Sequence, residues 1–418
     1  MEGVSSTGTS TRPALERSLS LFQATLYGLG VTIGAGIYVL IGAAAARAGM
    51  QAPIAFLLAA IIMGFSAASF AELGGRLPLA AGEAAYVRSA FRSDKLATMV
   101  GLLVIAIAIV SAATVSVGSA GYIAVFVPLP QPVLVTCVVL VMGGIAAWGI
   151  GAAVNFAGTM TLIEIGGLVL LIVAGASRGG ELITRLPEGL TSLSSGTALG
   201  GILGTALLAV FAFIGFEGLA NIAEEVREPQ RTLPRAIFLT LAISTILYVL
   251  VLWVSLITVP TPELAASGAP IALVFERLTG ATPLTMSAIA IVATLNGIIV
   301  QMIMSSRVLY GLGVQGDLPS VFGTVSPRTC TPLIATFFTT IAVWFLAVLL
   351  PLHRLADITS HMTLVVFALV NLALIRIKAR DREIPAGVYV APRWIPWAGL
   401  VSCVMLSLDD IGLFLLSQ

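Results

Sequence analysis

Gly28-Leu-Gly-Val-Thr-Ile-Gly-Ala-Gly-Ile37 decides the fold of this chain, because it places four glycines inside an apolar stretch, residues 21–46, long enough to cross a bilayer. Glycine is a poor helix former, and lipid offers exposed backbone no hydrogen bonds. The cluster therefore predicts either a break in a spanning helix that serves a binding site, or close helix packing through small residues. Taken alone, the motif favours neither interpretation.

The composition around this stretch is that of an integral membrane protein. The chain has 418 residues, of which 58% are hydrophobic and 10% charged, and its mean hydropathy is +1.06. Soluble domains carry about 25% charged residues. A formal net charge of +1 gives no footprint for nucleic acid, and three cysteines make neither a disulfide framework nor a metal set.

Eleven apolar runs have the roughly 20 residues that a transmembrane helix needs. They cover residues 21–46, 52–75, 96–127, 131–148, 153–176, 198–223, 234–259, 284–312, 331–350, 356–376 and 394–416. Residues 261–280 are amphipathic and predict a loop helix outside the bilayer. The sequence therefore predicts an all-α membrane protein with short loops.

The Lys and Arg residues indicate the orientation of these spans. With the N-terminus in the cytoplasm, sixteen of the 21 lie on the cytoplasmic side and five lie outside. The five are Arg47, Arg178, Arg185, Arg277 and Arg354. This bias predicts a cytoplasmic N-terminal tail over residues 1–20 and a C-terminus on the outer side.

An internal repeat is suggested by two pairs of landmarks. Gly34 breaks the first span and Pro53 opens the second, whereas Gly215 lies in the sixth span and Pro234 opens the seventh. Both pairs have the same offset of 181 residues. Five spans separate the matched landmarks, so the two copies face opposite ways across the membrane. Inverted repeats with interrupted first helices indicate a secondary transporter and its binding site.

Two such breaks could bind a zwitterion through backbone groups alone. Freed N–H groups attract an anion, and freed carbonyls attract a cation. We expect the amides of Ala35, Gly36 and Ile37 to face a carboxylate. The carbonyls of Thr32 and Ile214 would face an ammonium group.

Phenylalanines flank the second break, one carboxyl group follows it, and another lies in the middle of span five. Most membrane phenylalanines serve packing, but Phe211 is our candidate for a lid over the substrate. Glu164 and Glu217 lie within spans and are each either a coupling or gating group or a protonated structural carboxyl. Glu72 precedes Arg76 by four residues and predicts an ordinary surface pair.

No set of residues predicts catalysis, a metal site, a cofactor or ATP binding. The two histidines are His353 and His361, and no Gly-x-x-x-x-Gly-Lys motif occurs. A channel would need a continuous polar stripe, which no span has. Asp409 and Asp410 have no assigned role.

Several motifs together resemble those of the amino acid–polyamine–organocation superfamily. They span most of the chain: Gly30-Val-Thr-Ile-Gly-Ala-Gly-Ile37, Ala71-Glu-Leu-Gly-Gly-Arg-Leu-Pro78, Gly82-Glu-Ala-Ala-Tyr86, Phe213-Ile-Gly-Phe-Glu217 with the acidic exit to Pro234, and Ser306-Arg-Val-Leu-Tyr310.

The resemblance implies a LeuT-type 5+5 inverted repeat of eleven transmembrane helices, with substrate held between broken spans one and six. The first repeat would be residues 21–176 and the second 198–376, with a loop and an extra helix over 377–418. Similar permeases bind the substrate carboxylate at Gly34, Ala35 and Gly36, and its amino group at carbonyls matching Thr32, Phe211 and Ile214. Phe211 matches the gating tryptophan of an arginine/agmatine antiporter, in which Glu217 also matches an acidic residue.

The sequence differs from the pattern of this superfamily in three respects. Ala35 replaces a serine that some relatives use, and Glu164 lies where some proton-coupled relatives carry a lysine. A carboxylate there could carry a proton or pair with a cation. The twelfth span that the family usually has is not expected.

The sequence therefore predicts a secondary-active amino acid transporter of the cell membrane, working by alternating access as a proton symporter or an exchanger. Small and aromatic pocket candidates favour neutral amino acids, with cationic amino acids or polyamines as the alternative. No oligomeric state is predicted. The predicted substrate-binding residues are Thr32, Ile33, Gly34, Ala35, Gly36, Ile37, Phe211, Ala212, Phe213 and Ile214, with Glu164 and Glu217 for coupling or gating.

Overall fold

The computed structural model is that of an all-α membrane protein. It describes residues 18–77, 82–148, 154–185, 188, 196–223, 225–329, 331–381 and 387–416. Most of the predicted N-terminal tail lies outside these residues, and so do the side chains of Ala35, Asp409 and Asp410. The described residues form no β-strand.

The described helices follow one another with short connections. In chain order they are α1 (Leu21–Ala35), α2 (Ile37–Ala48), α3 (Ala52–Arg76), α4 (Gly82–Phe91), α5 (Asp94–Ile123), α6 (Gln131–Trp148), α7 (Val154–Gly175), α8 (Gly179–Thr184), α9 (Gly196–Phe213), α10 (Pro229–Thr258), α11 (Thr261–Ala266), α12 (Pro270–Thr279), α13 (Leu284–Gln315), α14 (Leu333–Leu349), α15 (Leu352–Arg380) and α16 (Trp394–Leu416). A 3-10 helix at Phe216–Ile222 follows α9, and we call it the span-six 3-10 helix.

Helices occupy the apolar runs that the sequence predicts. Eight helical stretches are long and apolar enough to cross a membrane, and one of them, Ile37–Arg76, combines α2 with α3. Three shorter apolar helices cover Leu21–Gly34, Leu333–Leu349 and Trp394–Leu408. The predicted loop helix over residues 261–280 is two short helices, α11 and α12, separated by the turn at residues 267–269.

Span seven begins earlier than predicted, and this weakens one landmark of the repeat. Pro53 is the second residue of α3, where the missing amide hydrogen has no intrahelical partner to lose. Pro234 is the sixth residue of α10, which begins at Pro229. The prediction that Pro234 opens span seven is therefore wrong, because Pro229 already supplies the preset φ that starts the helix. The prediction that Gly34 breaks span one is also wrong by two residues, because Gly34 lies inside α1 and the break falls at Gly36, whereas Gly215 lies at the break of span six itself.

The break in span one is a single residue. Helix α1 ends at Ala35 and α2 begins at Ile37, with Gly36 between them at φ −97° and ψ −75°. The Gly36 amide donates to the Ile33 carbonyl at 3.3 Å, and the Val39 amide donates to the Gly36 carbonyl at 3.3 Å. The chain therefore tightens into a single turn between the two helices.

The break in span six is more complete. Helix α9 ends at Phe213, Gly215 has φ +134°, and the span-six 3-10 helix follows. This φ lies in a region that residues with a Cβ rarely adopt, so glycine is required. The described 3-10 helix is seven residues long, whereas such helices rarely exceed three or four. Spans one and six are therefore interrupted to different degrees.

The two breaks pack against each other reciprocally. A Cβ on Gly36 would lie 2.5 Å from the Ala212 Cα atom, and a Cβ on Gly215 would lie 2.7 Å from the Thr32 backbone nitrogen. Each glycine therefore contacts the other span close to that span's own break. This crossing positions the predicted site at the centre of the bundle.

The start of span one and the end of span six are joined by backbone hydrogen bonds. The Leu19 amide donates to the Glu225 carbonyl at 3.0 Å, and the Arg227 amide donates to the Leu19 carbonyl at 2.9 Å. These bonds form an isolated parallel bridge between Leu19 and Val226. The start of α1 and the exit of the span-six 3-10 helix are thus held together.

Candidate functional site

The structure brings the two predicted halves of the substrate site together. Thr32, Ile33 and Ile37 are buried on the span-one side. Phe211, Ala212, Phe213 and Ile214 are buried on the span-six side, which Gly36 contacts at Ala212. The site is therefore a buried crossing of two interrupted helices, lined by small residues, aliphatic side chains and phenylalanines.

Gly28 and Gly30, in the first half of the opening motif, serve packing. A Cβ on Gly28 would meet the Thr240 Oγ1 atom at 2.5 Å, and a Cβ on Gly30 would meet the Thr161 Oγ1 atom at 2.1 Å. These glycines let α10 and α7 approach α1. Both interpretations of the motif thus apply, to different glycines: packing at Gly28 and Gly30, and a break at Gly36.

A tyrosine that the sequence did not single out joins the two breaks. The Tyr248 hydroxyl of α10 lies 2.9 Å from the Thr32 carbonyl and 3.0 Å from the Ala212 carbonyl. One hydroxyl has one hydrogen to donate, so it serves one of the two carbonyls at a time. Each carbonyl keeps acceptor capacity for a further donor, such as an ammonium group.

The three phenylalanines of span six have different surroundings. Phe213 packs against Phe56 and Tyr248, with ring centroids 6.3 and 5.3 Å away. Phe216 packs edge-on against Phe70 and Phe367. These two rings are core residues, so of the three Phe211 is the one whose ring has no aromatic neighbour in the described part of the chain.

Glu164 lies against the first break. Its side chain is fully buried, and its Oε1 atom accepts a hydrogen bond from the Asn296 side-chain amide at 3.0 Å. Its Oε2 atom has no hydrogen-bond partner. A Cβ on Gly34 would lie 3.2 Å from that same Oε2 atom. An ionised carboxylate in this position would repel a substrate carboxylate bound at Gly34, whereas a protonated one could donate a hydrogen bond.

Glu217 lies against the second break and holds its backbone. The Glu217 Oε2 atom accepts a hydrogen bond from the Gly215 amide at 2.8 Å. This bond satisfies a donor that the interrupted helix leaves open. Glu217 therefore has a structural partner, and its predicted coupling role stays a prediction.

The prediction of an ordinary surface pair at Glu72 and Arg76 is wrong in one respect. The pair forms, with the Arg76 Nη2 atom 2.7 Å from Glu72 Oε1, but the Glu72 side chain is fully buried. Its Oε2 atom also contacts the Lys378 Nζ atom at 2.8 Å and accepts from the Ala391 amide at 2.8 Å. The spacing along α3 revealed one partner, while the others come from distant segments.

At the opposite end of the bundle an ion pair joins three helices. The Arg47 guanidinium at the end of α2 donates to both carboxylate oxygens of Asp357 in α15, at 2.8 and 2.6 Å. It also donates to the Gly204 carbonyl in α9 at 3.1 Å. A cavity of about 670 Å³ next to this pair is lined by Arg47, His353 and Ser267, among other residues. The pair thus joins α15 to α2 and α9, one half of each interrupted span, and its arginine lines the cavity.

Comparison with known proteins agrees with this architecture. The family model described as amino acid permease matches residues 19–414. The chain belongs to the amino acid permease family. It is therefore a membrane transporter and not an enzyme.

Among its relatives is the branched-chain amino acid permease BcaP of Bacillus subtilis (strain 168), 29% identical over 96% of this chain and 90% of the permease. The methylthioribose transporter of the same organism is 25% identical over 93% of this chain and 87% of the relative. The vacuolar cationic amino acid transporter 2 of Arabidopsis thaliana is 28% identical over 89% of this chain. The chain spans 61% of that longer relative.

Proposed function

We propose that this permease is a secondary-active amino acid transporter that holds its substrate between the breaks of spans one and six. The proposal includes eleven membrane spans in a 5+5 inverted repeat, a cytoplasmic N-terminus and a place in the cell membrane. It is supported by family membership and by the apolar helices. The charge bias of the loops supports the orientation.

The reciprocal packing of Gly36 and Gly215 is the observation that carries the proposal. It brings backbone from both spans to one buried point, at which two carbonyls already face a shared hydroxyl donor. A substrate ammonium group offers three donors to such acceptors. The amides at residues 35–37, at the start of α2, would face the substrate carboxylate, as helix N-termini commonly do.

A neutral amino acid fits these surroundings best. Phe211, Ile214 and Ile37 are apolar and buried, and the Glu217 carboxylate is engaged by the Gly215 amide. The name of the branched-chain relative supports the same class, whereas that of the plant relative supports cationic amino acids, our alternative. A cationic side chain would need a carboxylate, and Glu164 already lies at the carboxylate end of the site.

Counterflow in proteoliposomes tests the transport proposal. Vesicles preloaded with unlabelled leucine should accumulate labelled leucine, and preloading with arginine or putrescine should drive less uptake. Stronger exchange with arginine or putrescine would favour the alternative. Transport of methylthioribose without any amino acid transport would overturn the proposal, because that sugar has neither an ammonium group nor a carboxylate.

Coupling to protons is proposed at Glu164 or Glu217. Glu164 combines burial with an unpartnered oxygen beside Gly34, so a proton on it would remove repulsion from the substrate carboxylate. Glu164→Gln and Glu217→Gln should each be compared with the wild type for uptake against external pH. If both variants kept the wild-type pH profile, proton uptake at these residues would be excluded.

The Arg47–Asp357 pair is proposed as the outer gate of the alternating-access cycle. It joins α2 and α9, the outer half-helices of the broken spans, to α15. Both side chains keep partial exposure, 26% and 15%, so water can replace each partner when the pair opens. Opening this pair would connect the site with the adjacent cavity.

A further inference from the structure

Helices α3, α15 and α16 are connected by buried polar groups at mid-helix. The Ser69 hydroxyl donates to the Asn371 side-chain oxygen at 2.6 Å, and the Asn371 amide donates to the Ser66 hydroxyl at 2.9 Å. Ser66 Oγ in turn lies 3.6 Å from Cys403 Sγ of α16. Gly399 of α16 leaves no room for a Cβ, which would lie 2.6 Å from Asn371 Oδ1. One asparagine therefore binds α3 and packs tightly against α16.

The same three segments are connected again at their cytoplasmic ends. Glu72 of α3 contacts Lys378 of α15 and accepts a hydrogen bond from the Ala391 amide, just before α16. Lys378 also donates to the Ala391 carbonyl. Because the Glu72 side chain is fully buried, separating these helices would leave a charge without partner or solvent.

The other face of α15 is different. Helix α15 also packs along α5, but the hydrogen-bond partners of Asn371 and Lys378 lie on α3, on α15 itself and before α16. In lipid, buried polar bonds resist separation because no water replaces them, so the bonds of Asn371 and Lys378 hold α15 to α3 and to the segment before α16. The Arg47–Asp357 pair differs from these buried groups because it is partly exposed, so water can solvate both side chains when the pair separates.

We propose that α3, α15 and α16 move as one rigid unit during transport, so that the surface of relative motion lies between α15 and α5. The proposal rests on the alternating-access function proposed above. It assigns the last helix, α16, a role in the moving part of the molecule. Helix α15 would then carry Asp357 toward and away from Arg47 while its contacts with α3 stay closed.

A cross-link between α3 and α16 tests this unit with a cysteine that the protein already has. Ser66→Cys faces native Cys403, and Cys137→Ala with Cys330→Ala removes the other thiols. After oxidation we expect leucine transport within about twofold of the reduced protein. A loss of about tenfold or more that dithiothreitol restores would overturn the proposal, because it would mean that α3 and α16 must separate.

The matched control cross-links a surface that should move. Arg47→Cys with Asp357→Cys, in a chain also carrying Cys403→Ala, should lose transport by about tenfold or more when the two thiols are joined by a bis-methanethiosulfonate reagent that spans the length of the former arginine side chain, and should recover when reduced. Absence of leucine transport in the parent protein without any cross-link would count against the transport function itself, which separates the two failures.

Spin-label distances provide a second test that leaves the buried network unchanged. Labels replace the exposed side chains Ile61 of α3 and Met405 of α16, or Ile61 and Leu102 of α5. Between substrate-free and leucine-bound protein, the Ile61–Met405 distance should change by less than about 1 Å and the Ile61–Leu102 distance by more. A larger change in the first distance than in the second would overturn the proposal.

Discussion

The two breaks at the centre of this permease are made in different ways. Gly36 interrupts span one for a single residue, whereas Gly215 has a left-handed φ and is followed by seven residues of 3-10 helix. Gly36 packs closely against Ala212 at the first break, and at the second break the Gly215 amide also donates a hydrogen bond to the Glu217 carboxylate. Span six is therefore the more fully interrupted of the two spans.

The same difference extends to the neighbours of each break. Span one borders Glu164, a carboxyl group with an oxygen that has no partner. Span six borders Glu217, whose carboxylate accepts the Gly215 amide. The two breaks therefore also differ in the hydrogen bonding of the carboxyl group beside each.

The largest expected effect is that of a methyl group at either glycine. Gly215→Ala imposes both a rare φ and a Cβ 2.7 Å from the Thr32 nitrogen, while Gly36→Ala imposes only a clash with Ala212. Strain at such a φ alone costs about 1–3 kcal/mol. We expect Gly215→Ala to lose transport and folded yield by about tenfold or more, and Gly36→Ala to lose less.

Gly218→Ala in the span-six 3-10 helix is the matched control, because open space surrounds that position. It should transport like the wild type. If Gly36→Ala reduced transport more than Gly215→Ala does, this prediction would be wrong. The first break would then tolerate a Cβ less well than the second. Uptake per folded protein, measured after size-exclusion chromatography, separates the two readouts.

Loss of the hydroxyl that joins the breaks should have an intermediate effect. Tyr248→Phe removes the donor shared by the Thr32 and Ala212 carbonyls. A buried hydrogen bond contributes about 1 kcal/mol, so we expect leucine affinity to fall by about fivefold. The measurement is leucine binding by isothermal titration calorimetry.

Tyr122→Phe is the control for this change, because the Tyr122 hydroxyl is also buried and donates to a carbonyl, that of Tyr38. It should alter leucine affinity less than Tyr248→Phe does. Equal effects of the two variants would mean that Tyr248 supports the fold in general and has no special relation to the breaks.

Much of this arrangement could be predicted because it depends on local chemistry. Glycine disfavours helix wherever it occurs, so the sequence predicts a break within the glycine cluster of span one and another at Gly215, although it placed the first at Gly34 and the structure has it at Gly36. Burial of the apolar residues Ile37 and Phe211 follows from their place in these spans.

The rest depends on contacts between distant segments. Tyr248 is one aromatic residue in an apolar span, and nothing near it in the chain indicates that two carbonyls face its hydroxyl. The spacing of Glu72 and Arg76 is the same for a surface pair and a buried one, and burial comes from Lys378 and Ala391. The Pro234 landmark failed because Pro229 also starts helices.

A smaller effect should separate the two possible tasks of Glu217. Glutamine keeps an oxygen that can accept the Gly215 amide, whereas leucine leaves that amide without a partner. Leaving a buried donor unsatisfied costs about 1–3 kcal/mol. We expect Glu217→Leu to lower thermal stability and Glu217→Gln to leave it close to the wild type, whichever of them changes the pH profile. Equal melting temperatures for the two variants would mean that the hydrogen bond from the Gly215 amide to Glu217 does not stabilise the fold.

The smallest expected effect concerns Glu83, which lies outside the spans and beside the second break. Helix α4 packs on the span-six 3-10 helix, and Glu217 lies within the electrostatic reach of Glu83. Burial raises the pKa of Glu83 from 4.5 to about 7. Because the folded state favours the protonated form, its stabilising contribution is complete below the unfolded pKa and is lost as the pH rises through about 7.

Glu83→Gln should therefore flatten the pH dependence of stability. Between about pH 5 and pH 8, the melting temperature of the wild type should fall further than that of the variant, by on the order of 2 °C. Fluorescence melting curves in detergent at matched ionic strength measure the difference. Parallel curves for the two proteins would mean that Glu83 titrates as an exposed carboxyl does. The second break would then lack a titratable neighbour on α4, and its contrast with the first break would depend on Gly215 and Glu217 alone.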